Sequence, residues 1–100
     1  MLMADALVGL KRYQEAWQLL EKIRLNEQTS LDFLGTRQEV ARLAGRTGQA
    51  YLSIAERNIR IGLYSHALIQ LKQAQKAPNL SLKERQDVDQ AIYRAKQFKK

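Results

Sequence analysis

Cysteine is absent from this chain, which excludes disulfides, thiol nucleophiles and cysteine-rich zinc sites. Proline occurs once and glycine five times, and no window alternates apolar with polar residues between turn signals, so nothing argues for a sheet. No apolar run approaches the roughly 20 residues that span a bilayer. Histidine is limited to His66 and tryptophan to Trp17. Acidic residues are the scarcer charge, ten against seventeen Lys and Arg, for a net charge of +7.

Helix formers fill the space these absences leave. Leu, Ala, Gln, Lys, Arg and Glu dominate, and 45% of the 100 residues are hydrophobic. That suits one small all-α domain burying roughly 60 to 70% of its unfolded surface. Apolar spacing predicts six helices. The first covers residues 2 to 11 with Met3, Ala6, Leu7 and Leu10 on one stripe, and the second, about 14 to 25, repeats it with Ala16, Trp17, Leu20 and Ile23. Thr29 or Ser30 caps a third helix whose stripe is Leu31, Leu34, Val40, Ala41 and Ala44, ended by Gly45. The fourth runs from about Gln49 to Ile61, its stripe ending in Ile59 and Ile61, and stops at Gly62. The fifth covers about 65 to 76, with Ala67, Leu68, Leu71 and Ala74, before Pro78. Ser81-Leu82-Lys83-Glu84 has the form of a capping box and opens the sixth, striped by Val88, Ala91, Ile92 and Ala95.

Ala16 and Ala50 are thirty-four residues apart, each just past a helix break, and Ala67 follows after half that interval in Gly62-Leu63-Tyr64-Ser65-His66-Ala67. Thirty-four residues is the period of the tetratricopeptide repeat, a helical hairpin stacked on copies of itself. A small residue is needed where two helices cross closely, and an aromatic before it fills the space beside the turn. Tyr13 with Ala16 and Tyr64 with Ala67 meet both needs, while Thr47 stands in the aromatic's place before Ala50. Stacked hairpins display a surface for other proteins, and the last helix, apolar on one face and charged on the other, suits a C-terminal cap. The short apolar start reads as a helix face and not as a signal peptide. It suggests a fragment cut from within a longer solenoid, its first helix free to self-associate weakly.

From Leu31 to Lys100 the chain resembles a known family. The order Leu31-Asp-Phe-Leu-Gly35, Glu39-Val-Ala-Arg-Leu-Ala44, Ala50-Tyr-Leu-Ser-Ile-Ala-Glu56, Ile61-Gly-Leu-Tyr64, Ala67-Leu-Ile-Gln-Leu71 and Gln90-Ala-Ile-Tyr-Arg94 is similar to the C-terminal tetratricopeptide region of bacterial periplasmic zinc metallopeptidases such as the β-barrel assembly-enhancing protease. The resemblance implies a periplasmic location and a parent whose separate HExxH domain holds the zinc. It also implies a repeat domain that engages outer-membrane proteins and their assembly machinery. No His-Glu-x-x-His occurs here, so this segment carries no such zinc and no cofactor of its own.

Other residues have plainer readings. Trp17, Tyr13 and Tyr64 are packing residues, His66 is a solvated histidine near a turn, and Asp87 and Asp89, two apart on one helix, point in different directions and make no dyad. Nothing supports catalysis or a small-molecule substrate. The positive charge is C-terminal: seven basic against six acidic residues in the first fifty, ten against four in the last. Lys96, Lys99 and Lys100, with Arg85 and Arg94, form a basic end that reads first as a solubilising helix. Base stacking is disfavoured because Tyr93 and Phe98 are expected to be partly buried.

These observations define a non-catalytic repeat domain that binds a peptide or protein partner in a curved groove. Asp32, Gly35, Glu39, Arg42, Leu52, Glu56, Ile59 and Arg60, on the exposed side of the third and fourth helices, are the expected groove residues. Their mixture lacks the Asn and Lys set with which chaperone-binding repeats clamp a carboxylate. The alternatives are a basic helical domain binding nucleic acid or another polyanion, and a self-assembly scaffold.

Overall fold

A computed structural model describes residues 9, 12–23, 29–78 and 80–98, with Phe98 by its backbone alone. Among these residues there are five helices and no strand: α1 (Tyr13–Glu21), α2 (Leu31–Leu43), α3 (Thr47–Arg60), α4 (Tyr64–Gln75) and α5 (Leu82–Phe98). The chain is all-helical, as the periodicity predicts. The helix expected over residues 2 to 11, with its self-association, lies outside the described residues apart from Gly9.

Local chemistry sets the helix ends. Ser30 caps α2 by accepting from the Phe33 amide at 3.0 Å, leaving one fewer orphan donor in the first turn. The turns after α2 and α3 have the same construction. Gly45 and Gly62 take φ of 74° and 87°, a left-handed conformation that a Cβ penalises. The next amide then reaches back five residues, from Arg46 to the Ala41 carbonyl and from Leu63 to the Asn58 carbonyl, both at 2.8 Å. This closes each helix with a Schellman-type bond and turns the chain straight into the next one. Arg12, just before α1, pairs with Glu15 at the helix start.

Ala16, Ala50 and Ala67 occupy equivalent places. Each sends its amide to the carbonyl of the residue just before its helix, Arg12, Arg46 and Leu63, at 2.9 to 3.1 Å. Ala16 and Ala67 are wholly buried and Ala50 nearly so. The recurrence seen in the sequence is therefore a recurrence in position.

Helices pack chiefly on their neighbours in sequence, and α3 also touches α5. The apolar interior divides accordingly. One cluster joins α1, α2 and the start of α3 through Ala16, Trp17, Leu20, Val40, Ala41, Ala44 and Ala50, with Tyr13 and Phe33 against it. The other joins α3, α4 and α5 through Leu52, Ala55, Ala67, Leu71, Ala74, Val88, Ala91 and Ala95. Gln14 ties α1 to the end of α2 by donating to the Ala44 carbonyl at 2.5 Å.

Several expectations are corrected. Helix α3 starts at Thr47, two residues early, because the Gly45 turn already aims the chain along the new axis. Ile61 falls past the end of α3 and is 51% exposed, and Ile23 and Leu31, placed on stripes, are exposed at their helix ends. Tyr93, expected to be partly buried, is 65% exposed. It lies two residues from Ala91 and Ala95, which carry the buried face of α5, and residues two apart on a helix do not share a face.

Candidate functional site

Between the two apolar clusters lies a polar seam carried by α2 and α3. Arg37 sits on the same stripe as Leu34, Val40 and Ala41, and folding therefore buries it to 6% exposure. Its guanidinium lies over the Trp17 ring, 4.8 Å from the centroid. One terminal nitrogen donates to Ser53 Oγ at 2.6 Å and, more weakly, to the Gln49 carbonyl at 3.5 Å, and the other donates to Gln49 Oε1 at 2.6 Å. Ser53 Oγ in turn donates to the Gln49 carbonyl at 2.9 Å. The Nε has no partner.

These contacts are all neutral, so the charge is held without an ion pair. Loss of solvation pulls the Arg37 pKa down to about 10, against the upward pull of Asp87, Glu56, Glu84 and Glu21. The guanidinium remains charged at neutral pH. A desolvated cation over an aromatic face gains about 2 kcal/mol, which offsets part of the burial cost.

Arg37 forms the floor of a channel of about 420 Å³. The end of α1 supplies Glu21, Lys22 and Ile23, α3 supplies Leu52 and Glu56, and α5 supplies Lys83, Asp87, Gln90 and Arg94. Arg94 pairs with Glu56 across the α3–α5 contact. Glu21, Lys22, Lys83 and Asp87 make no ion pair among the described residues. The channel thus offers both charges, an amide and an apolar patch at Leu52 and Ile23. No group of three His, Asp or Glu residues able to hold a metal occurs among the described residues.

The α5 wall is anchored at its start. Ser81 accepts from the Glu84 amide at 3.1 Å, and Glu84 accepts from the Ser81 amide at 3.2 Å. Gln49, holding Arg37 with its oxygen, donates its nitrogen to Glu84 at 2.8 Å. The seam and the capping box are therefore one network. Burial works against the charged Glu84, but the bonds from Gln49 and Ser81 together outweigh it and hold its pKa below the usual value. Ser81→Ala is expected to cost about 1 kcal/mol, read as a lower urea midpoint with unchanged slope. A glutamate with a depressed pKa stabilises above its unfolded pKa and loses that contribution as pH falls through the folded value. The stability gap between wild type and Glu84→Gln should accordingly close below the ordinary carboxylate range, and a gap unchanged in acid would contradict the network.

The eight expected groove residues do not form one groove. Leu52 and Glu56 line the channel, though Leu52 is only 2% exposed and belongs to the core. Asp32, Gly35 and Glu39 line a separate, open concavity with Leu31, Thr36, Val40 and Arg57. Arg42 is tied to Glu39 on its own helix, lowering the Glu39 pKa through that hydrogen bond. Ile59 packs against the second apolar cluster, and Arg60 donates to the Thr29 carbonyl. The α2–α3 pair has a concavity on each of two sides, and α5 helps form one of them. Arg37, Asp87 and Gln90 line the channel without being among the eight expected residues, although a charged residue interrupting the Leu34, Val40 and Ala41 stripe is a readable signal of a buried polar seam.

A scan against family models finds no match for the chain, and searches of curated proteins and of solved structures find none either.

Proposed function

We propose that this chain is a tetratricopeptide-like interaction domain, non-catalytic in itself, whose channel over Arg37 receives an extended segment of a protein partner. The observation that carries the reading is the packing of α3 on both α4 and α5, with α1 and α2 closing the other side, so that successive helices leave a lined channel. Stacked hairpins bury their apolar faces on one another and keep such a surface free. The equivalent places of Ala16, Ala50 and Ala67, each the fourth residue of its helix, support the repeat character. The resemblance of residues 31 to 100 supports a particular setting. The parent would be a periplasmic zinc metallopeptidase, and the partners outer-membrane proteins in unfolded or misassembled form or the machinery that assembles them.

An extended segment presents unpaired backbone groups and alternating side chains. Gln90, Lys83 and Asp87 on one wall and Glu21 and Lys22 on the other offer donors and acceptors on both sides of such a strand.

The test is fluorescence anisotropy of a labelled peptide carrying the alternating pattern of an outer-membrane strand, with Gln90→Trp as the blocking variant. Gln90 is exposed, so the substitution leaves the core alone while filling the channel. Saturable binding, weakened about tenfold or more by Gln90→Trp, a loss of at least ~1.4 kcal/mol, is the expected result. Binding that Gln90→Trp leaves intact would contradict the channel. Tighter binding of single-stranded nucleic acid, falling steeply with salt, would favour a polyanion-binding domain instead.

A further inference from the structure

The outer face of α5 forms a second surface, distinct in chemistry from the channel. Val88, Ala91 and Ala95 pack this helix into the second apolar cluster, and no helix among the described residues covers its opposite side. Leu82 and Tyr93 stand there, 74% and 65% exposed, more than any other large apolar side chain among the described residues. Eleven residues is three helical turns, so the two point within about 20° of each other and lie about 16 Å apart along the axis.

Basic side chains flank them. Arg85 and Lys96 fall on the side of Asp89, while Lys83 and Arg94 fall toward the channel. Arg94 is paired with Glu56, but Lys83, Arg85 and Lys96 make no ion pair among the described residues. The exposed acid on this helix, Asp89, accepts from Gln75 at 3.4 Å. By contrast Arg12 and Arg42 are each matched by a glutamate three residues away.

We propose that the outer face of α5 docks an acidic amphipathic helix of a partner protein, its apolar residues seated on Leu82 and Tyr93 and its carboxylates on Arg85 and Lys96. Charge complementarity selects this occupant. A second copy of the chain would set cations against cations in a molecule of net charge +7. A bilayer needs a continuous apolar stripe to insert, whereas Gln86 and Asp89 lie between the two anchors here. Helix against helix suits two anchors spaced by turns, since the intervening glutamine can hydrogen-bond to a polar neighbour. Tyrosine is among the residue types whose burial most often carries the affinity of such contacts.

Calorimetry on the full chain at low salt tests this with three probes. They are a peptide of roughly 18 residues, long enough to form helix against a surface, with a leucine stripe flanked by glutamates; the same peptide with lysine for every glutamate; and phosphatidylglycerol vesicles. The acidic peptide should bind saturably, the lysine peptide should not, and the vesicles should bind more weakly than the acidic peptide. Tyr93→Ala, and separately Arg85→Glu with Lys96→Glu, should each weaken the acidic peptide about tenfold or more. These positions are exposed, and an unchanged circular dichroism melt confirms that folding is retained. No saturable binding of the acidic peptide, binding by either variant as tight as by wild type, or tighter binding to vesicles would each overturn the proposal.

Discussion

Ala67→Trp should unfold the chain under conditions where wild type is stable. Ala67 has no exposed surface and lies among Leu52, Ala55, Leu71 and Val88 in the cluster that joins α3, α4 and α5. The start of α4 is tied to the end of α3 across the Gly62 turn by the Leu63 amide, which donates to the Asn58 carbonyl at 2.8 Å, so α4 has little room to slide along its axis. An indole there must separate α3 from α4, and overpacking of this kind costs ~3 kcal/mol or more at a site with no relief. A domain of this size has only about 5 to 15 kcal/mol to lose. Ala50, 9% exposed and at the edge of its cluster, should tolerate the same change better. Urea denaturation of the two variants checks both statements. A midpoint for Ala67→Trp equal to wild type would show that this alanine is not at a close crossing.

The second large effect is expected at Arg37. Arg37→Ala removes the cation from the Trp17 face, strips Gln49 Oε1 of its strong donor and leaves a cavity beneath the channel. Cavity formation and an unsatisfied buried acceptor together cost roughly 3 kcal/mol. Arg37→Met retains most of the volume and removes both the desolvated charge and the orphaned Nε. Arg37→Met still leaves Gln49 Oε1 without its donor, at a cost of about 1 to 3 kcal/mol, but it opens little cavity and removes the penalty of the desolvated charge, so it should fall between wild type and Arg37→Ala. Trp17 is the only tryptophan, and its fluorescence reports unfolding in both variants and the loss of the overlying cation in the folded state. If the methionine variant fell as far as the alanine variant, the hydrogen bonds of the guanidinium would be holding α2 to α3, and the seam would be structural before it is functional.

The helices and their ends were legible because they depend on local chemistry. Gly45 and Gly62 announce left-handed turns, Ser30 and Ser81 announce caps, and the three alanines announce a recurring buried position in the first turn of a helix, and each does its part within a few residues of where it stands. The groove was less legible because it depends on which third helix covers a given face. Leu52 reads as an exposed partner of Glu56 until α5 arrives over α3 and buries it. The reverse holds for Tyr93, an aromatic near the apolar stripe of α5 that no described helix covers. Arg37 lay between these cases. Its position on an apolar stripe predicts burial, but its partners Ser53, Gln49 and Trp17 come from two other helices, and no spacing along α2 foretells them.

The channel above Arg37 is the centre of this account, and amide hydrogen exchange with and without the strand-patterned peptide locates binding most directly. Slowed exchange confined to the end of α1, to α3 around Leu52 and Glu56, and to α5 from Lys83 to Arg94 is the predicted footprint. Protection centred instead on Asp32, Gly35 and Glu39, with the α5 amides unchanged, would contradict it and place the partner in the other concavity.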